Sequence, residues 1–236
     1  MASIHPSARV HPSAILEGDV EIGQDVVIDP FVYIQGPARV GARSHIYPSC
    51  VLGTPPEHKR AGPQGLIVIG SDTTLRELVV VQRGSGDRDT TVGSGCMLMD
   101  HVHVAHDCLL EDQVTVAPNT VFAGHCHVLT GATVGMLVTV HQFSTIGAHA
   151  MVGMSSAVTR DVPPFCLVLG NPARFQRLNR APLAALGLAE ADLRIVDGAL
   201  HSDHPQVQAA LAHFAQHSRR KSLPLLAAPR DERASL

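Results

Sequence analysis

An all-β solenoid, a parallel β-helix with a small α-helical domain at its C-terminal end, is the fold this sequence predicts. Three observations carry the prediction. Apolar side chains recur every six residues; two stretches that break the phase are rich in glycine and polar residues; and helical spacing replaces the period after residue 174. Composition agrees. Of 236 residues 45% are hydrophobic, but only 3% are aromatic and none is Trp, which suits a narrow core of small aliphatics better than a sandwich or bundle.

The first run starts at Ile4 and steps through Val10, Leu16, Ile22, Ile28, Ile34, Val40, Ile46 and Leu52. A short run follows at Ile69, Leu75 and Val81, and the longest one goes from Val92 in steps of six to Val158 without leaving apolar residues. Neither a helix nor an ordinary strand has this period. Three hexads per turn make a triangular coil of about 18 residues whose periodic aliphatics point inward, with coils stacked ~4.8 Å apart. Small residues and glycine, as in IGQD at 22–25 and VGAR at 40–43, are expected where the backbone turns tightly. In the known hexapeptide class such coils are left-handed.

Residues 53–66 (GTPPEHKRAGPQGL) and 83–91 (RGSGDRDTT) break the phase and read as loops expelled from the coil. The repeat domain is expected over residues 1–174 and a C-terminal helical domain over 175–236. Within the latter, 175 to about 218 reads as a helical cap over the open end of the prism, and the remainder as a frayed tail.

Net charge of -3 offers no basic field for nucleic acid. No apolar run approaches the ~20 residues that span a bilayer. Five cysteines without a CxxC pair, and no signal peptide, point to free thiols in a reducing cytoplasm.

The segment HVHVAHD at 101–107 concentrates three histidines and an aspartate. With 18 residues per coil, His106 lies under Gly124 and Gln142, Asp107 under His125 and Phe143, and Ala105 under Ala123 and His141. His106, Asp107, Gly124, His125, His141 and Gln142 therefore share a patch roughly 10 Å across, with His103 three residues before His106. Three readings fit. The patch is a polar surface column; or it is a metal site, with His101 and His106 at a zinc-like spacing of five; or a histidine acts as general base. Consecutive strand residues point to opposite faces, so His106 and Asp107 can pair only if the chain turns there. The N–H of Gly124, unobstructed by a side chain, could face an oxyanion.

The segments LMDHVHVAHDC, FAGHCHV, VHQFSTIGAHAMVGMSSAVTRDVPPF and GNPA resemble those of the UDP-N-acetylglucosamine O-acyltransferase family, which opens lipid A biosynthesis. The N-terminal IHPSARVHPSAILEGDVEIG and the loop GTPPEHKRAG fit it too, so the resemblance covers about residues 3–180. It implies a homotrimer in which His106 is the base, Asp107 stands beside it and Gly124 supplies the oxyanion N–H. Lys59, His103, His125, His141 and Gln142 would contact substrate, and Gly170 would sit where the family gauges acyl length. The implied donor is a 3-hydroxyacyl thioester on the phosphopantetheine of acyl carrier protein, with a nucleotide-sugar acceptor and neither metal nor other cofactor. The departures gather on the acceptor side: Glu57 or His58 where the family has Asp, Gln82 for a His, a shortened 84–91 loop, and Asp197 for an Arg. Arg160, Arg174, Arg177 and Arg180 are either a dock for the acidic carrier or a solvated rim.

Overall fold

The computed structural model describes residues 2–59, 65–86 and 88–225. Three sheets form the walls of a prism. One eight-stranded wall begins at Ser3–Ile4 and ends at Thr145–Ile146. Another runs from Ile15–Glu17 to Ala157–Val158, and a ten-stranded wall from Arg9–Val10 to Arg174–Leu178. Pairing in these walls is parallel except in the final pair, and where nothing is inserted it steps by 18 residues, as in Leu110↔Val128 and Val128↔Ile146.

The interior is what the period predicts. Val104, Leu110, Val116, Phe122, Val128 and Val134 are wholly excluded from solvent. Burying each aliphatic contributes about 1.5–3 kcal/mol, and a change of hexad phase would turn that whole column outward.

The corners differ from expectation. Most are turned by a residue other than glycine in the left-handed region, as at His101 (φ 58), Asp107 (φ 59), Gln113 (φ 61), Asn119 (φ 59) and His125 (φ 63). Such a residue costs about 1–2 kcal/mol, offset by the ladders it joins. In IGQD the turn is made by Asp25 (φ 55), whereas Gly23 answers a close approach. A Cβ there would stand 2.9 Å from Val40 O and Ala42 N of the next coil.

The two insertions show in the register: Val40 pairs with Ile69, and Ile69 with Val92, separations of 29 and 23 in place of 18. The expected loop bounds are too wide, because Gly53 and Thr54 belong to the strand Val51–Thr54, and Thr90 and Thr91 pair with Ile67 and Val68. Residues 60–64 and 87 lie outside the described residues.

The C-terminal domain is less helical than its sequence predicts. The strand Arg174–Leu178 straddles the expected boundary and pairs antiparallel with Cys166–Leu169. Helix α1 covers only Arg180–Ala185, and a hairpin of Arg194–Val196 and Ala199–His201 replaces expected helix. Helix α2, Pro205–His217, lies along a flank of the prism and does not cap its end. Its Phe214 packs on Leu129 and Ala148, and Thr145 Oγ1 donates to the His217 carbonyl (2.9 Å). His213 and His127 each direct Nε2 at Glu111 Oε1, at 2.7 and 2.8 Å. The expected fraying is also corrected for residues 219–225. Leu223 and Leu225 are buried, and the Leu223 N–H donates to the Asp161 carbonyl (2.8 Å). Residues 226–236 lie outside the described residues.

Candidate active site

The turn at residue 107 brings the central pair together. Because Asp107 is left-handed, its side chain does not alternate away from its neighbour. His106 Nδ1 lies 2.6 Å from Asp107 Oδ2. Asp107 is wholly buried and His106 is 8% exposed, so the ring's remaining nitrogen, Nε2, is the one left for chemistry.

The carboxylate is fixed from several directions. Ser85 N–H donates to Asp107 Oδ1 (2.9 Å), and the Asp107 N–H donates to Thr90 Oγ1 (2.8 Å). The Arg88 guanidinium donates to the Asp107 carbonyl. Burial pushes the Asp107 carboxyl up, but the hydrogen bonds from His106 and Ser85 outweigh it and hold the group below the ordinary carboxylate range. Thus the loop at 83–91 braces the pair. Thr90 and Ser85 precede Asp107 by 17 and 22 residues, and no coil arithmetic that ignores the loop finds them.

His125 is stacked on Phe143, with ring centroids 4.5 Å apart, and its Nε2 lies 3.5 Å from Asp107 Oδ2. Gly124 sits against the His106 ring so closely that a Cβ would meet Cε1 at 2.6 Å and Nε2 at 2.8 Å. The glycine is required there by space.

His103 is half-buried in the same wall, and its imidazole is held below its usual pKa by burial, against an opposing pull from Glu57. The His58 ring approaches His106 with centroids 5.5 Å apart. Gln82, buried, accepts from the Glu57 N–H (3.4 Å) and so tethers the loop.

Other expected residues stand further out. His141 and Gln142 are exposed on the coils beyond, and His141 Nδ1 lies 3.1 Å from the Gln142 carbonyl. Lys59 is exposed and reaches none of His106, Asp107 and His125 through a hydrogen bond or ion pair among the described residues. Gly170 (φ 104) donates its N–H to Ser156 Oγ (3.1 Å). It is joined to the wall of His103 through Val121, Thr139 and Ala157, about 19 Å along the stack. Exposed Val121, Met136, Leu137, Met154 and Leu169 occupy the walls and turns over that span.

The donor atoms of His106, Asp107 and His125 lie within 4.8 Å of one another, the one such group among the described residues that could share a cation. His101 does not join it; its ring turns to Asp100 (3.3 Å) at a different corner.

Comparison with known proteins places the chain in a family. The bacterial transferase hexapeptide (six repeats) family matches residues 19–54. The acyl-[acyl-carrier-protein]–UDP-N-acetylglucosamine O-acyltransferase of Verminephrobacter eiseniae is 39% identical over 206 residues, spanning 81% of this chain and 79% of that one. This chain belongs to the UDP-N-acetylglucosamine O-acyltransferase family. The family enzyme of Gloeothece citriformis is also 39% identical, over 69% of this chain but only 59% of its own length. The solved enzyme of Moraxella catarrhalis superimposes with a TM-score of 0.82 at 28% identity, covering 94% of this chain and 97% of that one. The prism is therefore the left-handed hexapeptide β-helix of these acyltransferases. No helix among the described residues is long and apolar enough to cross a membrane.

Proposed function

We propose that this chain transfers a 3-hydroxyacyl group from the thioester of acyl carrier protein to a hydroxyl or amine of UDP-N-acetylglucosamine or a similar nucleotide sugar. The observation that carries the mechanism is the buried His106–Asp107 pair, with Nδ1 engaged by the carboxylate and Nε2 left over.

His106 Nε2 takes the proton of the acceptor as its oxygen or nitrogen attacks the thioester carbon. Asp107 fixes the tautomer and stabilises the imidazolium that forms. The Gly124 N–H has no hydrogen-bond partner among the described residues, and we assign it to the oxyanion. Collapse of the tetrahedral intermediate breaks the C–S bond, and the imidazolium returns the proton to the leaving thiolate. Burial favours a neutral His103 that can accept or donate to the acceptor sugar. His125, His141 and Gln142 face the pantetheine arm and the acceptor, and Lys59 reaches the acceptor from its loop.

The acyl chain runs along Val121, Leu137, Met154 and Leu169 towards Gly170, where the absence of a side chain admits a longer chain. This stripe is open to solvent in one chain. A homotrimer, packed about a threefold axis, would cover it. The proposal places the reaction in the cytoplasm, where carrier and nucleotide sugar meet.

Thiol release from acyl carrier protein, measured with UDP-N-acetylglucosamine and with other UDP-sugars, tests the proposal. Wild-type protein should turn over, and His106→Ala should lose about 10²–10⁴-fold in kcat. Full turnover by His106→Ala would remove the assigned base. Turnover with another UDP-sugar alone would move the acceptor, a result that the Glu57, Gln82 and Asp197 departures favour.

A further inference from the structure

Four titratable side chains meet away from the candidate site, where α2 lies against the prism. Glu111 Oε1 accepts from Nε2 of His127 on the wall (2.8 Å) and from Nε2 of His213 on α2 (2.7 Å). Its Oε2 accepts from the Thr130 N–H (3.0 Å) and Oγ1 (2.8 Å), so both carboxylate oxygens are engaged. The His217 ring, one turn along α2, stands 4.6 Å from the His213 ring and 4.5 Å from that of His127, centroid to centroid. No other carboxylate pairs with these three imidazoles among the described residues. Asp112, beside Glu111, is turned to the Ser94 N–H (2.7 Å), and Arg219, two residues past His217, adds positive charge.

One carboxylate balances one imidazolium, and three imidazoles crowd this one. A first proton tightens the cluster; a second and a third meet like charge where burial weakens screening. His127 is buried, and burial, then the charges of His127 and His213, hold the His217 imidazole below its usual pKa against the pull of Glu111. Released, His217 takes a proton more readily than when seated. Its contribution to docking is therefore present above the ordinary histidine pKa and fades as pH falls below it. Water reaches the group directly, because Glu111 and His213 line a cavity of about 380 Å³ with Leu109, Asp112 and Thr130. Little else holds α2 down. Of its 13 residues only Val207 and Phe214 are buried. Its N-cap, His204, makes no side-chain cap bond, and no acidic side chain stands in its first turn to complement the helix dipole.

We infer that α2 is a proton-operated latch: Glu111 seats it while the three imidazoles carry at most one charge, and it leaves the flank of the prism when they carry more. The helix runs directly into Ser218 and Arg220, which bond to the buried Asp161 through Oγ (2.6 Å) and N–H (2.8 Å). Arg220 Nη1 donates onward to the Gln142 carbonyl (3.3 Å). The latch is thereby tied to the edge of the candidate site, whatever reaction that site performs.

Hydrogen exchange of the full chain, read by mass spectrometry at about pH 7.5 and about pH 5 and corrected for intrinsic rates, tests this across the histidine range. No turnover is involved, so protonation of His106 does not enter. Amides of α2 should lose about tenfold in protection per pH unit for each proton taken up on release. Those of the coils from Val92 to Val158 should keep theirs. His217→Phe retains a ring but cannot titrate, and it should flatten the dependence by about one proton. Glu111→Gln should leave α2 poorly protected already at the higher pH. The His213 side chain is 42% exposed, so His213→Gln leaves folding undisturbed, and it too should flatten the dependence. Equal protection of α2 at both pH values in wild type would overturn the inference. So would a loss that the coils share with α2, which marks global unfolding, or wild-type pH dependence in both His217→Phe and His213→Gln.

Discussion

Gly124→Ala is the sharpest test of the packing that places the proposed base. Alanine keeps the backbone N–H proposed for the oxyanion, so the change acts through the methyl group alone. That methyl would stand 2.6 Å from His106 Cε1, 2.8 Å from Nε2 and 3.2 Å from Nδ1. Carbon contacts are comfortable from about 3.5 Å, so the ring must retreat by about 0.9 Å. Asp107 is held by Ser85 and Thr90 and cannot follow, so the 2.6 Å bond between Nδ1 and Oδ2 stretches. Overpacking of this kind costs about 1–3 kcal/mol in stability. A reactive group displaced by about 1 Å costs on the order of 10²-fold in rate. The expected variant is therefore folded, melts a few degrees lower, and loses about 10²-fold in kcat with little change in KM. Circular dichroism and steady-state thiol release measure both. A variant with kcat within about threefold of wild type would refute the reasoning, since the methyl cannot be accommodated without moving the ring that the mechanism depends on.

Two further outcomes follow from the same geometry. Burial would raise the Glu111 carboxyl, but bonds from His127, His213 and Thr130 hold it down to about 2. Its contribution, up to about 3 kcal/mol, is present above the ordinary carboxylate pKa and lost as pH falls from about 4.5 towards about 2. Burial and the charges of His127 and His213 also depress His217, so acid favours the unfolded chain from the usual histidine range downward. Glu111→Gln should lower the melting temperature at pH 7 and flatten its fall below pH 4.5; an unchanged melting profile would deny Glu111 this role. Gly170→Met should shorten the longest acyl chain accepted in a competition among acyl carrier protein thioesters, and its φ of 104 should lower the melting temperature as well. An unaltered chain-length profile would remove Gly170 from the acyl path.

How much of this was legible in the sequence depends on what each contact spans. The prism could be read because its interior admits one aliphatic column, and the phase holds from Val92 to Val158 without insertion. The neighbours of His106 on later coils, Gly124 and His125, followed from the same uninterrupted count. Contacts that cross an insertion did not follow: Ser85 and Thr90 reach Asp107 from a loop whose length hides the 18-residue step. Nor did those made by the C-terminal segment, because Glu111 meets His213 across 102 residues and Asp161 meets Arg220 across 59. The helical spacing of α2 predicted a helix, but its expected seat over the open end of the prism was wrong, because its contacts to Leu129, Ala148 and Glu111 are made across the flank.

The His106–Asp107 pair lies between these cases. Adjacent residues on a strand diverge, so sequence alone allowed the pair only if a corner fell between them. The corner does fall there, at a non-glycine residue whose left-handed conformation carries a cost. The same conformation recurs at His125 and Phe143 on the next two coils, which keeps the three side chains in one outward column. A backbone turn needed to close each coil of the solenoid thus also aims a carboxylate at its neighbouring imidazole. Replacing Asp107 by a residue that keeps the turn but not the charge, such as Asn, separates the two roles. The coil should persist while the tautomer of His106 is lost, and with it most of the rate.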